Sequence, residues 1–409
     1  MANRQSTIVF ALAGKADADN IAPAIWSVAR DATPVVVFVA DDEVYKDLQT
    51  AWWRSECSHV RVIRVRNNGS SSFINRLYRA RWNRWSLRRQ LRHHSVGLVV
   101  MEWREGIPLF SPKRVRWTFG WLSHNFFTQL QLAARNVQVP TAALPHGHST
   151  KTSIIRSKHV QAVMDANGGK LPFADRDSHA AYVFASGYHR DVIVNHSTMS
   201  GHNTQVWGSA RFNDEWVARM YAATPPAELP ALRSEQLRRV LLFIPKWHNL
   251  VDKTQTLQLI AALGAERRIQ LVVRGHLRAD DTSLSAQDQA MFQESDNIVM
   301  VKDDITSPSL IKACDVLIDV DSSIAFDAVL LGKPYVRPRY LQDASVTTIW
   351  DELGGAHQTD SLQATVELVS NAVLQPAPRD PTFDAVVFGG AGADVLQRYR
   401  DGLLALTDR

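Results

Sequence analysis

Two doubly wound parallel α/β sheets are what this sequence predicts, on three observations. Short β-rich apolar runs alternate with helical stretches through most of the 409 residues, which is βαβ repetition. Several runs are apolar on both faces, as in a parallel sheet covered by helices on both sides. The alternation is interrupted once, at 223–233 (ATPPAELPALR), and a second series then begins.

In the first series the strands fall at 7–13 (TIVFALA), 34–40 (PVVVFVA), 60–65, 96–101, 139–144 and 181–185. Helices fit between them, among them 19–30, 42–54, 73–93 and 119–136. The second series has strands at 239–245 (RVLLFIP), 269–274, 297–302, 315–319 and 334–336. A Pro-rich piece at 376–383 precedes a last helix, about 390–406. The expected division is a Rossmann-like domain over 1–225, a second over 235–380, and a C-terminal helix in 385–409 packing back towards the first. Two such halves would face a central cleft, and ligands in such sheets bind beyond the carboxyl ends of the strands.

Composition excludes several classes. Hydrophobic residues are 45% and charged residues 21%, a globular mix rather than a disordered or collagen-like one. Apolar runs reach about six residues, against roughly 20 for a spanning helix. The N-terminus meets Lys15, Asp17 and Asp19 too early for a signal-peptide core. Cys57 and Cys314 are the only cysteines, too few for a zinc site or a disulfide framework, and they fit a reducing cytoplasm.

The formal net charge is +5, and it is unevenly placed. No acidic residue lies between Glu56 and Glu102, an interval that holds ten arginines. Within it, 73–94 reads FINRLYRARWNRWSLRRQLRHH. Ile74, Leu77, Tyr78, Trp82 and Trp85 recur at helical spacing, with Arg76, Arg79, Arg84 and Arg88 largely off that stripe. A basic helix with tryptophans beside its apolar face suits an anionic inner-membrane surface. It equally fits a helix docked on its own domain with a solvated arginine face. No nucleic-acid module accompanies it, so nucleic acid is not expected as a partner.

Four strings follow strands, where ligands bind. ALPHGHSTK (143–151) places His146 before Gly147, with Lys151 beyond. A histidine there can take a proton from a hydroxyl at neutral pH, and the glycine lets backbone approach a ligand. DVLIDVDSSIAFDAVLLGKPYV (315–336) puts Asp321, Ser322 and Ser323 at a helix start near 323–331, with Asp327 one turn in. Such residues cap a helix, and such a turn also suits a pyrophosphate. LVVRGHLR (271–278) ends a strand with Arg274, His276 and Arg278, groups that can hold a diphosphate. FIPKWHN (243–249) adds Lys246 and His248. Taken singly, each string also fits an ordinary turn. Asp319–Asp321 and Asp17–Asp19 are D-x-D strings, but no metal and no cofactor is expected. The P-loop, the dinucleotide G-x-G-x-x-G, H-E-x-x-H and G-x-S-x-G are all absent. Trp52, Trp53, Trp117 and Trp121 read as packing residues.

In this order the pieces resemble the CDP-glycerol glycerophosphotransferase family of bacterial wall and capsule polymer synthesis, over roughly 140–340. PHGHSTK is similar to that family's His-Gly segment, and VVRGH to its second histidine motif. YVFASGYHRDV with VWGSARFNDEW is similar to its strand-turn segment, and FIPKWH stands where its donor domain opens. IKACDVLIDVDSSIAFDAVLLGKP is similar to its Asp-x-Ser-Ser, Phe-Asp and Gly-Lys-Pro run. Val320 and Asp321 stand where the family usually has a single Tyr, and His148 and Ser149 where it has Thr-Pro. The resemblance implies the two-domain GT-B fold and transfer of a sugar or polyol-phosphate group from a nucleotide-linked donor to a glycan or lipid-linked acceptor. It implies His146 as base on the acceptor hydroxyl, His276, Ser322 and Ser323 on the donor phosphates, and Asp327 in support. The basic helix would hold such an enzyme to the inner membrane face. Two other expectations stand beside this one: a sugar-nucleotide 2-epimerase of the same fold, and a non-enzymatic polyanion- or membrane-binding protein using the arginine-rich helix.

Overall fold

A computed structural model of the chain describes residues 6–65, 73–102, 126–145, 162, 164–171, 179–232, 237–244, 251–275, 284–292, 295–301, 305–320, 322–344, 346–390, 392 and 394–408. Two compact units emerge: Met1–His148, His159–Ala218 and Asp384–Arg409 form the first, Ser149–Lys158 and Arg219–Phe383 the second.

In chain order the first series runs β1 (Thr7–Leu12), α1 (Lys15–Ala29), β2 (Val35–Val39), α2 (Asp42–Thr50), a 3-10 turn (Trp52–Ser55), β3 (Arg61–Arg64) and α3 (Phe73–His93). It continues with β4 (Val96–Glu102), α4 (Phe126–Asn136), β5 (Thr141–Leu144), β6 (Ala181–Phe184), α5 (Gly187–His196), β7 (Thr204–Val206) and α6 (Asp214–Ala223). The second series is β8 (Arg238–Phe243), α7 (Lys253–Ala265), β9 (Ile269–Arg274), α8 (Ala286–Ala290), β10 (Ile298–Met300), α9 (Ser307–Ala313), β11 (Val316–Ile318) and α10 (Ile324–Leu330). After it come β12 (Tyr335–Pro338), α11 (Ile349–Leu353), β13 (His357–Thr359), α12 (Leu362–Val369), α13 (Phe383–Phe388) and α14 (Asp394–Thr407).

The first sheet has the order β3-β2-β1-β4-β5-β6-β7 and the second β10-β9-β8-β11-β12-β13. Every pairing between these described strands is parallel. Each sheet runs outward one way through its first three strands, then returns beside the first and runs outward the other way. That is the doubly wound Rossmann order, and the reversal falls at β1/β4 and at β8/β11. The fold class expected from the sequence is the one observed.

Four elements differ from the expectation. The helix foreseen at 42–54 stops at Thr50, because Ala51 turns to φ −57°, ψ 132° and the chain re-enters a 3-10 turn. The helix foreseen from 19 starts at Lys15, where the Asp17 carboxylate accepts the Ala13 N–H at 2.7 Å and fixes the turn after β1. Strands β7 and β13 were not foreseen: TQV and HQT are three residues each, polar, and lie at sheet edges.

In unit 1 the core lies on both faces of its sheet. Trp26 of α1 meets Trp216 at 5.8 Å between ring centroids, and Trp52 meets Trp216 at 5.1 Å. The expectation of Trp52 and Trp53 as packing residues holds, Trp53 being buried. Helix α14 lies on α1, where Ser27 Oγ donates to the Leu396 carbonyl at 2.6 Å. On the other face Leu87 and Leu91 of α3 pack with Phe126, Phe127 and Leu130 of α4. In unit 2 the inward rows of β8, β9, β11 and β12 form one core with α7.

Candidate functional site: the carboxyl edge of the second sheet

In unit 2 the strand reversal places the ends of β8 and β11 side by side. Register sets what stands there. Phe243 pairs with Arg274, Leu242 with Ile318, and Ile318 with Val336. One residue further on, Asp319 follows Ile318 and Arg337 follows Val336. Side chains alternate along a strand, so Arg274, Phe243, Asp319 and Arg337 form one row on the face opposite Val273, Leu242, Ile318 and Val336. The three charged members of that row have 0–1% exposure. Buried charges require partners, and Arg337 has them: two bonds of 2.9 Å to the Asp351 carboxylate and one of 2.6 Å to Gln342 Oε1. Burial works against the Asp351 carboxylate, but the Thr348 N–H and the Arg337 guanidinium outweigh it and hold its pKa below the ordinary value.

Asp319 organises the turn after β11. Its backbone N–H donates to the Val336 carbonyl at 3.2 Å, and its own carbonyl accepts the Tyr335 hydroxyl at 3.2 Å. Its Oδ2 accepts the Ser322 N–H at 2.7 Å, and Ser322 Oγ then accepts the Ile324 N–H at 3.3 Å. Capping is therefore shared by Asp319 and Ser322, where the sequence had pointed to Asp321, Ser322 and Ser323. The seven-residue α10 begins at Ile324 with Ser323 before it. Ser323 is exposed and its hydroxyl takes no part in capping. The turn thus presents one serine hydroxyl to solvent directly beyond the sheet.

The structure brings Arg274, Ser322 and Ser323 to the same edge of the second sheet, with Arg274 wholly covered. Asp327 sits one turn into α10 and is buried. Lys333, in the Gly-Lys-Pro run, donates to the Lys312 carbonyl at 3.2 Å and to the Ile311 and Cys314 carbonyls, closing the end of α9. His146, Gly147, Lys151, Lys246, His248, His276, Arg278 and Asp321 lie outside the described residues. In the sequence Asp319 stands out only within a D-x-D string, and Arg337 not at all. The signal that could have found them is a charged residue at the end of an otherwise apolar parallel strand.

Two segments of the resemblance take structural roles in unit 1. In YVFASGYHRDV, Ser186 caps α5 and its Oγ lies 2.8 Å from His189 Nδ1. Burial drives His189 down to about 4. In VWGSARFNDEW, Asn213 Oδ1 accepts the Glu215 and Trp216 N–H groups at 3.0 and 3.2 Å, while its amide donates to the Gly392 carbonyl.

The basic helix is present as expected, but its phase differs. Leu87 and Leu91 make the buried contact, and Arg84 Nε donates to Gln129 Oε1 at 3.2 Å. Trp82 is 65% exposed and Trp85 46%. Arg84 and Arg88 are half-buried beside the leucines one turn along, because long arginine stems can cover apolar surface. Arg76 and Arg79 lie on the helix, their side chains outside the description. Among the described residues, no helix is long and apolar enough to cross a membrane, and no group of three His, Cys, Asp or Glu is placed to hold a metal ion.

Comparison with protein-family models and with curated proteins returned no match. Solved structures do match in fold. UDP-GlcNAc 2-epimerase from Neisseria meningitidis, bound to UDP-GlcNAc, superposes with a TM-score of 0.58 at 11% identity, over 98% of this chain and 100% of that one. UDP-GlcNAc 2-epimerase from Methanocaldococcus jannaschii, in complex with UDP-GlcNAc and UDP, gives 0.53 at 9% identity over 97% and 99%. Anabaena HepE, in complex with UDP and glucose, gives 0.52 at 11% identity over 98% and 97%. The fold is GT-B-like, two Rossmann-like domains in one chain.

Proposed function

We propose that this chain is a sugar-nucleotide enzyme: a transferase that moves a sugar or polyol-phosphate group from a nucleotide-linked donor to a hydroxyl of a glycan or glycolipid. The observation that carries the reading is the turn at 319–323. It lies at the strand reversal of a doubly wound sheet, where such sheets take nucleotides, and its Ser323 hydroxyl is exposed. Likeness to proteins solved with UDP-GlcNAc or with UDP and glucose supports a nucleoside diphosphate as the ligand class.

In this reading Ser322 and Ser323, with Lys246 and His276, hold the donor phosphates, and Arg274 adds buried positive charge beside them. His146 accepts the proton of the acceptor hydroxyl. The oxygen then bonds to the sugar's anomeric carbon as the bond to the diphosphate breaks, and the nucleoside diphosphate leaves with the electron pair. With a polyol-phosphate donor such as CDP-glycerol, attack falls on the polyol-bearing phosphorus and CMP leaves. The exposed Trp82 and Trp85, amid the arginines of α3, support contact with an anionic inner-membrane surface that bears the acceptor.

A second reading is a 2-epimerase acting on the free sugar nucleotide. It is favoured by the two epimerases above, which superpose over nearly the whole chain. The test is turnover with UDP-GlcNAc and CDP-glycerol, with and without glycan acceptors. Transfer that needs an acceptor and disappears in His146→Ala, with nucleotide binding retained, is the expected result. UDP-ManNAc formed from UDP-GlcNAc without an acceptor would establish the epimerase instead.

A further inference from the structure

A concave groove of about 790 Å³ opens beside β3, in unit 1. Strand β3 is a sheet edge, so only one of its sides is paired. Arg54 and Arg61 line the groove from the β3 side, and Arg89, His93 and His94 from α3 and the residue after it. Among the described residues, no carboxylate lines it. Tyr45, Trp82 and Trp85 supply ring faces, and Gln49, Ser86 and Gln90 supply neutral hydrogen-bonding groups. Arg54 Nε is buried with no hydrogen-bond partner among the described residues. Burial, with His93 and Arg61 beside it, holds His94 below the ordinary histidine pKa.

We propose that this groove binds a phosphorylated sugar, the phosphate on Arg61 and Arg89 and the ring on the Trp82–Trp85 pair. The anion follows from the groove alone; the sugar rests on the function proposed above. Three arginines without a carboxylate select an anion, and guanidinium forks match phosphate. A volume of this size suits a discrete ligand, either a soluble sugar phosphate or the head group of a lipid in the surface that α3 is proposed to face. Single-stranded nucleic acid needs successive platforms for successive bases. Here the two indoles pack on each other at 5.2 Å and Arg89 lies over Trp85, which leaves one platform for one ring. The ligand's ring comes either free in solution or on a lipid.

The test is titration of the full chain with glucose 1-phosphate, inorganic phosphate, maltose and poly(U). It is repeated with vesicles of phosphatidylcholine carrying equal charge as phosphatidylinositol or phosphatidylglycerol. Glucose 1-phosphate is expected to bind about tenfold or more tightly than phosphate or maltose. Both Arg61→Ala/Arg89→Ala and Trp82→Ala/Trp85→Ala should weaken it by about tenfold or more. All four positions are exposed, and an unchanged melting midpoint confirms folding. Preference for phosphatidylinositol vesicles assigns the ring to a lipid head, and equal binding of the two vesicles assigns it to a soluble sugar. Equal binding of phosphate alone, preference for poly(U), or affinity indifferent to both double substitutions overturns the proposal. UDP binding, followed in the same variants, should stay unchanged. Its absence from the unsubstituted chain would count against the sugar-nucleotide reading and not against the groove.

Discussion

His189 shows how a half-buried residue ties stability to pH. Its pKa, about 4 in the fold against about 6.5 unfolded, means that the unfolded chain binds more protons between those values. The stability it contributes is full above pH 6.5 and is lost as pH falls towards 4, by about 3 kcal/mol at most. Chemical denaturation from pH 7 to 4.5 should show that loss, and His189→Asn should flatten it. The Arg337–Asp351 pair sets a second expectation. Arg337→Met removes the buried cation from the Asp351 carboxylate and leaves it only the more exposed Arg339, whose Nε lies 3.6 Å away, so it should cost about 3 kcal/mol in the same assay. At the site, the position of Ser322 and Ser323 was legible, because they stand in a string that follows a strand, whereas the cap that Asp319 supplies was not. Arg274 and Asp327 are buried at this edge, which their positions along a strand and a helix do not show. Which face is covered depends on neighbours far along the chain.

Elements were legible where they are apolar. Strands β1, β2, β4 and β9 read directly from runs of Val, Ile, Leu and Phe, since a central parallel strand is buried on both faces. Edge strands have one neighbour and need no such run, so β7 and β13 carried no signal. Helix α3 was found at its observed bounds but with its buried face misplaced, because tryptophans and arginine stems are both amphipathic and only packing against α4 decides between them. Helix α14 illustrates packing overriding propensity. A Cβ at Gly402 would lie 2.4 Å from the Trp207 ring. Alanine is the better helix former, yet Gly402→Ala should destabilise by about 1–3 kcal/mol through overpacking, read as a lowered melting midpoint.

At the scale of the molecule, the sequence shows two α/β series, and the structure shows what orders them: each sheet reverses between its first and fourth strands. That order was implied by βαβ repetition but could not be assigned strand by strand, since right-handed crossovers permit several arrangements. Thermal unfolding with UDP at about 100 times its dissociation constant should stabilise unit 2 by about 2.7 kcal/mol. A ligand of the β3 groove should act on unit 1. The central claim is that the turn at 319–323 holds a nucleoside diphosphate. Calorimetric titration of UDP, CDP, GDP and ADP into the full chain and into Ser322→Ala/Ser323→Ala tests it directly. The expected result is one preferred nucleotide, bound about tenfold more weakly by the double variant. Nucleotide affinity that survives loss of both hydroxyls, or no binding of any of the four, would contradict it.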